Sequence, residues 1–199
     1  MKKLKCLHLG NGTVYLKSTK NEEWINVDMV GKLAVNNPKM VEHNGTTVDK
    51  YYKYPFRMNK GNNVTDIHVD ARDLSRFKDE SFDKILNVNL IDHFKKEEFI
   101  KALQEWKRVL KKGGELIIDV DDRGKQAQML VNSKTQEETD WALRLIYCDH
   151  ADIGRSHFWG YTQNYLKHIL EEAGFKYVWT SNSYILHDVY PNFQICVKK

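Results

Sequence analysis

The stretch LKCLHLGNGTVYLKSTKNEEWINVD, residues 4–28, decides the fold. Leu4 to Leu9 is an apolar-rich run that stops at Gly10-Asn11-Gly12. Such a run, broken by glycines, reads as a buried strand feeding a tight turn. Trp24-Ile25-Asn26-Val27-Asp28 reads as a second short strand, ending in an acid eighteen residues beyond Gly10. Strand, glycine turn, strand and acid together suit an open α/β sheet, whose ligands sit at the carboxyl ends of the central strands. Only residues 13–23 separate Gly12 from Trp24, so the helix expected between them is shortened or lost. The turn then runs into a loop through Tyr15 and Leu16, which weakens anion binding by a helix N-terminus.

Working outward, residues 29–63 are polar, rich in Asn and Lys, and carry the aromatic run Tyr51-Tyr52-Lys53-Tyr54-Pro55-Phe56. This segment is expected to be an insertion or lid within one domain spanning 1–199, since structureless loops of such length are usually functional or disordered. Its aromatic run could fold over a pocket or pack on the sheet edge. Val64 to Val69 and Phe82 to Val88 are the third and fourth strands. From Glu97 to Leu110, Phe99, Leu103, Trp106 and Leu110 repeat at helical spacing. Lys111 and Lys112 are expected in that helix's last turn, with Gly113-Gly114 ending it. Glu115 to Val120 is a fifth strand. Thr135 and Glu138 form a capping box for a helix reaching about Tyr147, with Trp141, Leu145 and Ile146 on one side. Tyr165 to Ala173 is another amphipathic helix, stopped by Gly174. Lys176 to Thr180 and Asn192 to Lys198 close the chain as a hairpin-like pair. The expected fold is α/β, an open sheet of about seven strands with the last antiparallel and helices on both faces.

The 199 residues leave no room for a second substantial core, and the net charge of +4 is mild. A nucleic-acid binder usually shows a clustered basic stripe; here the nearest is Lys107, Arg108, Lys111 and Lys112, which reads as a helix end. This argues against a nucleic-acid partner. Cys6, Cys148 and Cys196 are odd in number and far apart, so neither a disulfide framework nor a zinc site is expected. The start MKKLKCLHLG is too short in apolar run for a signal peptide, and no stretch approaches the ~20 apolar residues that span a bilayer. A cytoplasmic protein follows.

Each strand ends in groups suited to a ligand. Gly10 and Gly12 let the backbone bend sharply and let a ligand approach without meeting a Cβ. Asp28 can accept from both hydroxyls of a ribose. Asp70-Ala71 follows the third strand, and Asn87-Val88-Asn89 ends the fourth. The set suits an adenine-ribose ligand with a charged tail, although a GxG turn and a distant acid would equally suit a nicotinamide enzyme.

The order of the motifs separates these. LHLGNGTVYL, WINVD, DIHVDARDLSRFKDESFDKILNVNLIDHF, ALQEWKRVLKKGGELIIDVDD and YTQNYLKHILEEAGF follow one another along the chain. In that order they resemble small class I S-adenosylmethionine-dependent methyltransferases, Rossmann-like proteins often associated with sugar and cell-surface glycan pathways. The resemblance implies that Leu9, Gly10, Asn11 and Gly12 lie under the methionine part of S-adenosylmethionine and that Asp28 binds its ribose. It implies further that Asp70 approaches the adenine amino group, Ala71 the ring edge, and the backbone of Asn87 the methionine amine. Asp92 and His93 then open the acceptor side. His8 departs from the family where an acid is common, Val14 where a third glycine is, Asn89 where histidine is, and Asp92 where glutamate is.

The expected activity is methylation of a small-molecule or sugar acceptor, at oxygen or nitrogen. A hydroxyl acceptor would need a general base, for which His93, His150 and His157 are candidates, with Asp92 or Asp149 as partners. His93 and His157 are the expected catalytic residues; His157 lies in the aromatic segment Gly154-Arg155-Ser156-His157-Phe158-Trp159-Gly160. Trp106 and Trp141 read as core. No metal is expected, because acids and histidines do not fall at ligand spacing. Rival readings are a S-adenosylmethionine-binding regulatory protein without turnover, a nucleic-acid methyltransferase and a nicotinamide reductase. Oligomeric state is not readable.

Overall fold

The computed structural model describes residues 2–12, 16–29, 58–59, 62–63, 65–148, 150, 156–183 and 191–199. Val14, Tyr15, the run Tyr51 to Phe56, Asp149 and Arg155 therefore lie outside the described residues, as does most of the expected insertion.

Seven strands form one sheet. They are β1 (Leu4–Leu9), β2 (Glu22–Asp28), β5 (Ile67–His68), β6 (Phe82–Val88), β7 (Leu110–Asp121), β8 (Lys176–Asn182) and β9 (Asn192–Lys198). The order is β5-β2-β1-β6-β7-β9-β8, with β9 antiparallel to both its neighbours and the others parallel. This is the expected open α/β sheet. The sequence reverses direction across the sheet beside β1, and the crevice there is where ligands bind in such folds. A two-stranded antiparallel ladder, β3 (Met58–Asn59) with β4 (Asn62–Asn63), stands apart from it.

One sheet face carries Leu7, Leu9, Val27, Ile85, Ile118, Val120, Ile195 and Val197. Helices α1 (Lys96–Val109) and α4 (Gln163–Glu172) cover it with Phe99, Leu103, Trp106, Leu166, Ile169 and Leu170. Trp106 is fully buried and its indole N–H donates to Ala71 O at 2.7 Å, so the large ring joins the core without stranding its donor. The other face holds a smaller cluster of Leu86, Val88, Ile117 and Cys196 with Leu16, Trp24 and Trp179. The chain after β1 and β2, where helices for that face are expected, falls partly outside the described residues.

The first helix is indeed lost from the described part of the connection. Leu16 instead docks on β2 through the buried Asn26 side chain, whose Oδ1 accepts from Leu16 N at 2.9 Å and whose Nδ2 donates to Leu16 O at 2.9 Å. The amide imitates a strand partner for one residue of loop. Asn26 Oδ1 also lies 3.1 Å from His8 Nδ1. That contact explains His8: a neutral imidazole donates to the amide where a charged acid would have met another acceptor.

Several elements differ from expectation. The third strand is reduced to Ile67–His68 among the described residues; beside it Asp66 N donates to Asn26 O at 2.9 Å, and the side chains of Asp66 and Thr65 add bonds to Asn26. The helix after Lys95 ends at Val109, and β7 begins at once at Leu110. Lys111 lies on that strand and its Nζ pairs with Asp83 at 2.7 Å, while Lys107 and Arg108 occupy the helix's last turn. Gly113-Gly114 is thus an irregular piece of strand, not a helix stop; Gly113 has φ +73°, and a Cβ on Gly114 would come 2.9 Å from Lys111 O. A helix that the sequence reading did not place, α2 (Arg123–Asn132), follows β7 and packs on α3 (Gln136–Tyr147). The capping box at Thr135 and Glu138 forms as expected. Trp141 is only half-buried; Ala142 and Leu145 are the buried residues of α3. The three cysteines are free, and no described helix is long and apolar enough to cross a membrane.

Candidate active site

Strand β1 delivers Leu9 to the sheet's carboxyl edge, and the chain turns at once. Gly10 has φ +61° and Gly12 φ +48°, left-handed conformations that favour glycine. A Cβ on Gly10 would come 2.6 Å from Leu90 Cδ1, so the turn packs directly against the chain leaving β6. Asn11 N donates to Val27 O at 3.1 Å, and Gly12 N donates to Asp28 Oδ2 at 2.9 Å. Asp28 is nearly buried at the end of β2 and braces the turn from behind. Asn87, between Leu9 and Ile118 in the sheet, is fully buried with no hydrogen-bond partner for either side-chain polar atom. A buried amide without partners is costly and points to a polar ligand or water.

Asp70 follows a different pattern. Arg72 grips its carboxylate through Nε and Nη2, the latter at 2.7 Å, and also reaches Glu98. Burial opposes ionisation of Asp70, but Arg72 holds its carboxyl below the usual range. Ala71 is buried, its carbonyl turned inward to Trp106.

A second polar cluster, on the side expected to face the acceptor, grows from the other end of Leu90. A single 3-10 turn, Ile91–His93, buries Asp92 completely and leaves His93 half-buried. The Asp92 carbonyl accepts from Phe158 N at 2.8 Å and Trp159 N at 3.2 Å, which docks the 156–160 segment over it. His157 thereby places Nε2 3.2 Å from Asp92 Oδ2, and its ring centroid lies 5.0 Å from that of His93. His93 Nδ1 faces Ser156 O at 3.1 Å. The two histidines singled out from the sequence thus meet around one buried carboxylate.

Arg123, at the start of α2, completes the cluster and was not anticipated. Its Nη1 pairs with Asp121 Oδ2 at 3.0 Å and donates to Leu145 O at 2.8 Å and to Gln126 Oε1. Its Nη2 lies 2.8 Å from His157 Nδ1 and 3.6 Å from Asp92 Oδ2. A Cβ on Gly160 would come 2.4 Å from Arg123 Cγ, so only glycine lets the arginine pass. The sequence signal was Asp122 after a strand: its carboxylate caps α2 by accepting from Gly124 N and Lys125 N. The helix has no apolar stripe and buries only Gln126, so periodicity did not reveal it.

Burial pushes Asp92 toward its neutral form, yet His157, His93 and Arg123 together hold its carboxyl below the usual value. Asp121 moves the other way, raised by burial and by the charge of Asp92. Two acids share one guanidinium, and their carboxyls are shifted in opposite directions. Ligand atoms of Asp92, His93 and His157 lie within 4.8 Å of one another, close enough to consider a cation. The Arg123 guanidinium already supplies positive charge there.

Beyond this cluster, Asp119 on β7 accepts from Ser183 Oγ at 2.5 Å, Asn192 Nδ2 at 3.0 Å and Gln194 Nε2 at 2.8 Å. Burial pushes its pKa up to about 6 despite those donors. Asn192 also donates to Asn89 Oδ1 at 2.6 Å, tying the strained Asn89 (φ +46°) to β9. His150 is exposed, its Nδ1 2.9 Å from Ser156 Oγ, as suits a solvated helix end. A cavity of about 620 Å³ between α1 and α4 lies away from all these groups, and Lys107 beside it is already bonded to Ala173 O and Gly174 O.

Comparison with known proteins agrees with this fold. The family described as "Methyltransferase domain" matches residues 11–118, more than half of the chain. A protein of Pyrococcus horikoshii has a similar fold, with TM-score 0.57, 21% identity, and 99% of this chain and 82% of that one covered. A SAM-dependent methyltransferase of Methanosarcina mazei gives TM-score 0.57 at 15% identity, covering 100% of this chain and 93% of that one. The 1,6-didemethyltoxoflavin-N1-methyltransferase of Burkholderia thailandensis, solved with its namesake compound and S-adenosylhomocysteine, gives 0.56 at 13% identity, covering 100% and 72%. No curated protein sequence matches. The expected link to glycan pathways has no support among these matches. The glycine turn braced by Asp28, and the orphaned amide of Asn87 beside it, fit S-adenosylmethionine as the methyl donor. With the family match added, the chain belongs to the methyltransferase-domain family, the class I S-adenosylmethionine-dependent methyltransferases.

Proposed function

We propose that this enzyme methylates a hydroxyl or amine of a small molecule, sugars among them, bound over Asp92, His93 and His157. One observation carries the reading: a fully buried carboxylate with two imidazoles stands one turn beyond Leu90, the residue that packs on Gly10. A methyl donor held at Gly10 and Gly12 would therefore have titratable groups on its acceptor side. Asp28 would hold the ribose, Leu9 to Gly12 the methionine part, Asn87 the amine, and Ala71 the adenine edge. Asp70 would reach the adenine only if Arg72 yields it. The donor supplies an activated methyl; the chain's residues align the acceptor and take its proton, and alignment alone is worth several kcal/mol. The Burkholderia protein of similar fold is a 1,6-didemethyltoxoflavin-N1-methyltransferase, which is compatible with this reading.

The test is transfer of labelled methyl from S-adenosylmethionine to pooled small hydroxyl and amine compounds, with S-adenosylhomocysteine release as the readout. Incorporation into a small molecule supports the reading; incorporation only into RNA or DNA overturns it. S-adenosylhomocysteine binding without transfer to any acceptor would favour the regulatory alternative, which the hold of Arg72 on Asp70 motivates.

A further inference from the structure

The two imidazoles beside Asp92 have different partners, and the partners dictate where each proton sits. His93 Nδ1 faces Ser156 O at 3.1 Å. A carbonyl only accepts, so Nδ1 carries the hydrogen, and in the neutral ring Nε2 keeps its lone pair. Among the described residues no group hydrogen-bonds that Nε2. His157 Nδ1 faces Arg123 Nη2 at 2.8 Å, with Ile146 O farther away at 3.2 Å. A guanidinium only donates, so Nδ1 of His157 is the acceptor and the hydrogen sits on Nε2, toward Asp92 Oδ2 at 3.2 Å. Neither nitrogen of His157 then offers a substrate a free lone pair. Arg123 cannot easily turn aside, because Asp121, Gln126 and Leu145 O hold its other nitrogen and Gly160 roofs its chain.

We propose that the two histidines hold opposite tautomers, that His93 Nε2 is the proton acceptor of the reaction, and that Arg123 is a positioning residue that keeps His157 out of that role. This rests on the methyl-transfer reading above. For a hydroxyl acceptor, its oxygen forms the new bond to the methyl carbon while the carbon–sulfur bond breaks and the pair stays on sulfur. The hydroxyl proton passes to His93 Nε2. One positive charge enters on the sulfonium and one leaves on the imidazolium, so charge balances. The buried Asp92 carboxylate faces that imidazolium, and the half-exposed ring can return its proton to water. His157, held at Nδ1 by Arg123, keeps its Nε2–H edge 3.2 Å from Asp92 Oδ2.

The experiment is long-range proton–nitrogen NMR on the full chain carrying 15N-histidine, with and without S-adenosylhomocysteine, the two residues assigned with His93→Gln and His157→Gln. The expected spectrum shows His93 with bare Nε2 and His157 with bare Nδ1. Arg123→Met should move the His157 hydrogen to Nδ1, where Ile146 O accepts it, and Arg123→Lys should restore the wild-type pattern at least in part. The wild-type spectrum alone decides if these variants do not fold. A bare Nδ1 on His93, or a protonated Nδ1 on His157, overturns the assignment while leaving methyl transfer intact. Zinc uptake by the wild type with loss of both tautomer signals also overturns it, since ligation needs a bare Nε2 on His157. Failure of S-adenosylhomocysteine to bind, with the tautomers as expected, overturns the underlying reading instead and removes the base role with it.

Discussion

Two buried polar clusters sit on either side of the glycine turn, and they are built differently. On the β2 side, His8 and Asn26 are fully buried, and the Asn26 amide meets His8, Leu16 and Asp66 with every hydrogen-bonding atom. On the β6 side, Asp92 is equally buried, yet neither carboxylate oxygen has a well-aligned hydrogen bond. In the first cluster the Asn26 amide closes on chain atoms and holds the loop at Leu16, leaving only the neutral His8 Nε2 without a partner. The second is held by charge and leaves bonding capacity toward the substrate face. Closed polar networks hold a fold, whereas incompletely bonded ones are costly and persist where a ligand is to be met.

The largest test of that contrast is His93→Gln, expected to slow methyl transfer about 10²- to 10⁴-fold. S-adenosylhomocysteine affinity, measured by calorimetry, should not change. An unchanged rate would erase the distinction between the clusters. On the closed side, burial lowers the His8 pKa from 6.5 to about 4. The unfolded chain then binds that proton more tightly, so the His8 contribution is full above pH 6.5 and is lost as pH falls toward 4. The loss is about 3 kcal/mol. Denaturant unfolding at several pH values should show His8→Phe with a shallower acid slope than wild type; an identical slope would mean that His8 is not buried neutral.

Asp28 stands between the clusters, bracing the turn. Asp28→Ala should weaken S-adenosylmethionine binding about a hundredfold, since hydrogen bonds to a charged group are worth about 1.5–3 kcal/mol. The circular dichroism spectrum should keep its folded form. Unchanged affinity would remove Asp28 from the cofactor site. The smallest expected effect sharpens the open side: Gly160→Ala should cost about 1–2 kcal/mol of stability through the clash with Arg123. Transfer should fall about tenfold with it, as a misplaced supporting side chain loosens the catalytic geometry. A stability loss with no rate change would separate Arg123 from the chemistry.

Much of the sheet was legible because its signals are short-range. The apolar run before Gly10, the stripe Phe99, Leu103 and Trp106, and the Thr135–Glu138 box each lie within a few residues. The errors fall where longer contacts decided. Gly113-Gly114 looked like a helix stop, but pairing of Leu110 with Phe82 draws the strand back to the helix end. The third strand is shorter than expected, and the side chains of Asp66 and Thr65 reach across to Asn26 beside it. Helix α2 escaped notice because it offers a cap but no apolar face.

The sequence by itself determined the first two strands, the glycine turn at Gly10 and Gly12, the absence of a helix from the described residues between them, and, through its resemblance to a family, which histidines to watch. The strands, the turn and the short connection follow from local composition, spacing and turn chemistry; the histidines followed from the resemblance. Only the tertiary structure decided that His93 and His157 share Asp92, that Arg123 stands among them, and which nitrogen each ring presents. The bridge between Asp122 and Tyr161 and the docking of Phe158 and Trp159 on Asp92 O bring those distant segments together. No periodicity encodes such a meeting, because it depends on the packing of β6, β7 and the chain before α4 rather than on any single element.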